Sequence, residues 1–164
     1  IGAGSGIYLI SVAKKYKTVK GKMIDLPKIV DMQKERIKKE GISDRIEAES
    51  CDYNIKFPKE KYDDIFLFAI AHQEPEENLD KLLQNVYNHL NPDGRVFLTS
   101  FFLNEDKTSP EFAVQFAVEM LINTNKGKVY TYNEIENLIK RNNFKEIQKI
   151  DKLPGPATLY VAKK

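Results

Sequence analysis

The run Ile1-Gly2-Ala3-Gly4-Ser5-Gly6, answered by Asp25 nineteen residues after Gly6, narrows the fold more than any other stretch of the chain. Glycines at alternate positions let a chain turn sharply and bring backbone N–H groups against a ligand with no Cβ in the way. Ile7 to Tyr16 reads as a helix, with Leu9, Ile10, Ala13 and Tyr16 at helical spacing, and Lys20 to Ile24 reads as a short strand ending in Asp25. The order turn, helix, strand, acid is half of a nucleotide site, in which the acid accepts hydrogen bonds from a ribose diol.

The spacing selects among nucleotides. Dinucleotide enzymes show G-x-G-x-x-G with a pyrophosphate on the helix N-terminus, whereas the run here is G-x-G-x-G. This favours S-adenosylmethionine, whose methionine end and ribose need only a close, glycine-lined backbone, over a nicotinamide cofactor. The plain alternative is a helix-entry turn with no ligand.

Composition bounds the rest. At 164 residues, 41% hydrophobic and 30% charged, the chain suffices for one domain with a real core. Its 26 basic and 24 acidic residues are interspersed, with no basic stripe for nucleic acid. A lone Cys51 excludes a disulfide within the chain and a thiolate metal cluster, and His72 and His89 alone are poor material for a zinc site, so no metal is expected. No apolar run reaches membrane-spanning length. The expected partner is a small molecule, with no nucleic acid and no membrane, and the expected location is the cytoplasm. A glycine turn of this kind normally follows a buried strand, so that strand, and with it a longer protein, is expected upstream of Ile1.

In chain order, Asp25-Leu26-Pro27 opens a second helix that runs to about Glu40 and is stopped by Gly41. Ile46 to Ser50 is a third strand segment, and Cys51-Asp52-Tyr53 follows it, an acid beside an aromatic that suits an adenine. Ile65 to Ile70 is a continuous apolar run expected of a strand buried on both faces, and its end delivers Ala71-His72-Gln73-Glu74. Leu79, Leu82, Leu83, Val86 and Leu90 mark an amphipathic helix closed by Asn91-Pro92-Asp93-Gly94, and Val96 to Thr99 is the next strand. Ser109-Pro110-Glu111 reads as a cap, a first-turn proline and a first-turn acid before an apolar stripe of Phe112, Ala113, Phe116, Ala117, Met120 and Leu121. Thr131 to Glu134 is a capping box for a last helix, and Phe144 to Ile150 and Leu159 to Ala162 are two closing strands. Alternating strands and helices predict an α/β fold.

Together, Ile1-Gly-Ala-Gly-Ser-Gly6, Ile24-Asp-Leu-Pro27, Cys51-Asp-Tyr53, Ala71-His72, Leu90-Asn-Pro-Asp-Gly-Arg95, Gly127-Lys-Val-Tyr-Thr131 and Pro154-Gly-Pro156 resemble the S-adenosylmethionine-dependent O-methyltransferases that include the plant caffeate and hydroxyindole enzymes. The stretch from Phe101 to Asp106 and Tyr130-Thr131 look more like the branch that tailors bacterial pigments and antibiotics. The resemblance covers nearly the whole chain. It implies a Rossmann-like, doubly wound, mostly parallel sheet with an antiparallel C-terminal strand. It also implies an N-terminal helical domain upstream of residue 1 through which the protein forms a homodimer.

The resemblance further implies methyl transfer to a hydroxyl of a small aromatic, polyketide or pigment-like acceptor. Its cofactor residues would be Gly2, Gly4, Gly6, Asp25, Leu26, Asp52 and Tyr53, and its general base His72. Gln73, Phe102, Phe116 and Met120 would line the acceptor pocket. The competing class is a non-enzymatic S-adenosylmethionine-binding or interaction module that keeps the fold. Three departures bear on the choice. Gln73-Glu74 stand where the family has Asp-Trp, Cys51 stands where it has glycine, and the two acids that flank its histidine read Ser100 and Val129. Without a carboxylate partner an imidazole is a less oriented and weaker base.

Overall fold

The computed structural model covers residues 1–164, and the chain divides into two units, Ile1–Pro58 and Lys59–Lys164. In the first unit the glycine turn leads into α1 (Ile7–Lys15), followed by β1 (Gly21–Asp25), α2 (Pro27–Lys39) and β2 (Ile46–Ser50). β1 and β2 pair in parallel, from Gly21 opposite Ile46 to Asp25 opposite Ser50. The core of this unit is Ile10 and Ala13 of α1, Met23 of β1, Ile37 of α2, and Ile42 and Ile46. Ile10 and Ala13 stand three apart on one helix face, the spacing that makes α1 amphipathic. Pro27 sits at the first turn of α2, and Gly41 takes the left-handed conformation just past its end (φ 66°), as a stop signal requires.

The second unit comprises β3 (Tyr62–Phe68), a 3-10 turn (Ala71–Gln73), α3 (Glu76–His89), β4 (Leu90–Ser100), α4 (Glu111–Asn123), α5 (Tyr132–Arg141), β5 (Lys145–Ile150) and β6 (Thr158–Lys163). Its sheet has the order β3-β4-β6-β5. β3 and β4 are parallel across the α3 crossover, and β6 runs against both β4 and β5. The short link between β5 and β6 leaves no alternative, because a parallel return needs a dozen or more connecting residues. The expected antiparallel C-terminal strand is therefore present in an otherwise parallel set. Leu79, Leu82, Leu83 and Val86 of α3 are buried, each such side chain contributing about 1.5–3 kcal/mol. Thr131 caps α5 with the predicted box: its hydroxyl accepts from the Glu134 N–H, and the Glu134 carboxylate accepts from the Thr131 N–H.

Four local readings are corrected. Asn91-Pro92-Asp93-Gly94 does not separate a helix from a strand but lies within β4 as a bulge, with Tyr62 opposite Leu90 and Asp64 already opposite Arg95. Asp93 takes φ 61° there, and a Cβ on Gly94 would meet the Asn91 and Asp63 carbonyl oxygens at 2.9 and 3.0 Å. β3 ends at Phe68, because Ala69 turns the chain out with φ 59°, and only Ile65 and Leu67 of the apolar run are buried within the strand. Pro110 caps α4 from outside the first turn with no side-chain bond, and Ser109 instead accepts from Asn104 Nδ2 at 2.8 Å. The α4 stripe is also narrower than its sequence: Ala113, Phe116, Ala117 and Met120 pack on Leu103 and Val129, while Leu121 is 79% exposed.

Candidate active site

Within residues 1–58 the glycine turn is left-handed at all three glycines, with φ 55° at Gly2, 52° at Gly4 and 73° at Gly6. Two of them are needed for different reasons. A Cβ on Gly6 would lie 2.5 Å from Met23 Sδ, so this glycine seats the start of α1 on β1. A Cβ on Gly4 would meet nothing within 4 Å, so the backbone there stands open to an approaching ligand. The Gly4 N–H donates to Asp25 Oδ2 at 2.8 Å, and the Leu26 N–H donates to Asp25 Oδ1 at 2.8 Å. One bond per oxygen leaves the carboxylate lone pairs for hydroxyl donors. Leu26 beside it is 55% exposed. The Cys51 N–H donates to the Asp25 carbonyl at 2.9 Å, which joins the next loop to the same end of the β1–β2 pair. There Asp52 Oδ1 accepts from the Asn54 N–H at 2.9 Å, Tyr53 is half-buried, and Cys51 is buried with its thiol pushed up in pKa by desolvation.

Two residues of α2 complete this element and were not singled out from sequence. Gln33 Nε2 donates to the Gly4 carbonyl at 2.8 Å, and Arg36 Nη1 donates to the Ser5 carbonyl at 3.1 Å. Gln33 is fully buried, and its Oε1 has no hydrogen-bond partner. The available signal was positional: Gln33 lies at helical spacing between Val30 and Ile37, a polar residue on the buried face.

Within residues 59–164 the centre is His72, carried on the 3-10 turn after β3. It is 6% exposed, and its Nδ1 lies 2.9 Å from the hydroxyl of Ser100, the last residue of β4. The parallel β3–β4 pairing, extended by Ala69 N–H to the Thr99 carbonyl at 2.9 Å, sets the two residues side by side. The His72 carbonyl accepts from the Lys128 N–H at 2.9 Å, and Gly127 must be a glycine because a Cβ would come within 2.8 Å of that carbonyl. Phe116 meets the imidazole edge-on at 4.8 Å and Phe101 stacks beside it at 6.5 Å. Burial lowers the His72 pKa to about 4.

The other acceptor-side candidates divide. Phe116 and Met120 lie in the cluster of Leu103, Ala113 and Val129, with Phe101. Gln73 turns its side chain back to the Ala69 carbonyl at 3.0 Å and is exposed. Phe102 packs between Tyr132 and Tyr160, with ring centroids at 5.7 and 5.5 Å, while its neighbour Phe101 lies beside His72. Neighbouring residues of an extended segment point to opposite sides. The positions where the resemblance puts carboxylates carry the Ser100 hydroxyl, bonded to His72, and the buried Val129.

The family model of the O-methyltransferase domain matches residues 1–145. The chain belongs to this O-methyltransferase family. Among its similar relatives is the 3-hydroxy-5-methyl-1-naphthoate 3-O-methyltransferase of Streptomyces sahachiroi, 25% identical over 92% of this chain and 43% of that protein. The S-adenosyl-L-methionine-dependent methyl transferase PigF of a Serratia strain is 28% identical over 100% of this chain and 47% of its own length. A solved structure of PigF with SAH superposes with a TM-score of 0.89 over 99% of this chain and 48% of that one, at 26% identity. An O-methyltransferase family 2 protein from Planctomyces limnophilus, in complex with apigenin, gives 0.91 over 99% and 49%, also at 26% identity. The chain spans about half the length of the curated relatives it matches. No helix is long and apolar enough to cross a membrane.

Proposed function

We propose that the protein transfers a methyl group from S-adenosylmethionine to the hydroxyl of a small aromatic, polyketide or pigment-like acceptor. The observation that carries this reading is the Gly4 N–H bond to Asp25 in a turn whose Gly4 face is open, within a chain of the O-methyltransferase family. Gly2, Gly4 and Gly6 would let the cofactor approach the backbone, Asp25 would accept from its ribose hydroxyls, and Leu26, Asp52 and Tyr53 would hold its adenine. The bound cofactor supplies the activated methyl group. His72, with Phe101 and Phe116 beside its ring, would meet the acceptor oxygen, since positioning is the main task left to the protein when the electrophile is already activated. A strand and a helical domain upstream of residue 1, a homodimer built through that domain, and a cytoplasmic location belong to the same proposal. They rest on the family resemblance and on the half-length coverage of the relatives.

Titration calorimetry on the intact protein tests it. S-adenosylhomocysteine (SAH) should bind, and radiolabelled methyl should pass from S-adenosylmethionine to an aromatic hydroxyl. Binding of NAD without binding of SAH would overturn the reading.

A further inference from the structure

The side-chain hydrogen bond of His72 is to the Ser100 hydroxyl at 2.9 Å, and Ser100 is itself buried with that ring nitrogen as its side-chain hydrogen-bond partner. A buried hydroxyl places its proton on the acceptor within reach. The 2.9 Å contact fits either ring tautomer; with the hydroxyl donating to Nδ1, the neutral imidazole carries its hydrogen on Nε2. A carboxylate in the place of Ser100 would do the reverse, accepting from an Nδ1–H and leaving Nε2 with a free lone pair for proton abstraction. The surroundings do not favour an imidazolium either. Phe101 and Phe116 cover the ring. Lys128 turns its ammonium to Glu134 and Glu76, at 3.1 and 3.7 Å. The Glu74 carboxylate accepts from Asn78 Nδ2 at 2.9 Å, and Glu111 on α4 accepts from Gln115 at 3.1 Å.

We propose that His72 acts as a hydrogen-bond donor through Nε2 to an acceptor that arrives already ionised, so that the substrate class is acidic hydroxyls, phenolates or enolates flanked by electron-withdrawing groups. This rests on the methyltransferase reading and replaces the general-base role that the family resemblance implies for His72. The chemistry balances without a base. The acceptor oxyanion forms its O–C bond to the methyl group as the methyl–sulfur bond breaks, the electron pair leaves on sulfur, and the protein takes up no proton. An ordinary phenol, with a pKa of about 10 in water, would instead have to pass its proton to an imidazole whose basicity burial lowers, an equilibrium that runs against transfer.

The test has two arms on the intact protein. In the first, nitrogen-15 NMR of the His72 ring reads the tautomer with SAH bound. The expected result is the Nε2–H form at pH 7 with no protonation above about pH 5, and Ser100→Asp should convert it to the Nδ1–H form and raise its titration toward neutrality. An Nδ1–H tautomer in the wild type, or a His72 titration near pH 6.5, overturns the proposal. Loss of SAH binding would instead count against the underlying reading, and so the two failures are distinguishable. In the second arm, methyl transfer is compared between 4-nitrophenol and 4-ethylphenol, and between His72→Gln and His72→Ala. The ionised nitrophenol should be preferred by about 100-fold or more, and glutamine, which keeps a donor and removes the base, should stay within about tenfold of wild type where alanine loses about 100-fold. Equal rates on the two phenols, or glutamine as poor as alanine, would overturn the proposal.

Discussion

Replacing Gly6 and Gly4 by alanine, one at a time, separates the two tasks of the glycine turn. At Gly6 the backbone has φ 73°, and the new Cβ would lie 2.5 Å from Met23 Sδ and 2.9 Å from Met23 Cε. A left-handed alanine costs about 1–2 kcal/mol. Crowding a packed side chain adds about 1–3 kcal/mol. The less flexible unfolded chain returns about 0.4–1 kcal/mol. Gly6→Ala should therefore destabilise the protein by about 1–4 kcal/mol, the exact loss depending on how far Met23 can swing aside. At Gly4 the backbone term is the same (φ 52°), but no atom lies within 4 Å of the new methyl, so only about 0–1.6 kcal/mol should be lost. The methyl instead occupies the space through which the ligand meets the backbone, and SAH affinity should fall about tenfold or more, about 1.4 kcal/mol. Urea unfolding and calorimetry on the intact protein read both quantities. A Gly6→Ala protein as stable as wild type, or a Gly4→Ala protein that binds SAH undiminished, would refute the division of labour.

Asp25→Ala should weaken SAH binding by about 1.5–3 kcal/mol, because charge-assisted bonds to the ribose disappear and the Gly4 N–H loses its acceptor; calorimetry measures it. The depressed His72 pKa has a defined sign in stability. The unfolded chain binds the proton at about 6.5 and the folded one only at about 4, so the contribution is complete above pH 6.5 and is lost as the pH falls to 4, by about 3 kcal/mol. Urea midpoints across that window should show this slope in the wild type and not in His72→Gln. Thr131→Ala, which removes the capping hydroxyl of α5, should cost about 1 kcal/mol in the same assay.

Much of the fold was legible because it is written locally. β2 falls on the residues read as a strand, α1 stops one residue short of Tyr16, and the Thr131 box is where its four residues put it. The features that escaped depend on partners distant in the chain. The bulge at Asn91–Gly94 exists because Tyr62 and Asp64 set the pairing of β4, and no local pattern announces a register shift. Which of Phe101 and Phe102 faces His72 depends on the direction of the chain as β4 ends at Ser100, a parity that either phenylalanine fits by composition. In the candidate site Asp25 and His72 stood out, because an acid or an imidazole at a strand end is chemically conspicuous. Gln33 did not, since its role appears only when the Gly4 carbonyl is seen against it.

That last contact ties the glycine turn to the phase of a helix. Gln33 and Arg36 stand three residues apart on α2 and hold consecutive carbonyls of the turn, Gly4 and Ser5. One residue inserted between Pro27 and Gln33 would rotate both side chains by about 100° around the helix axis and carry them off the turn together. The first turns of α2 are thus a measured spacer. Its outward residues can vary freely, but its length is set by a loop that precedes it by a helix and a strand.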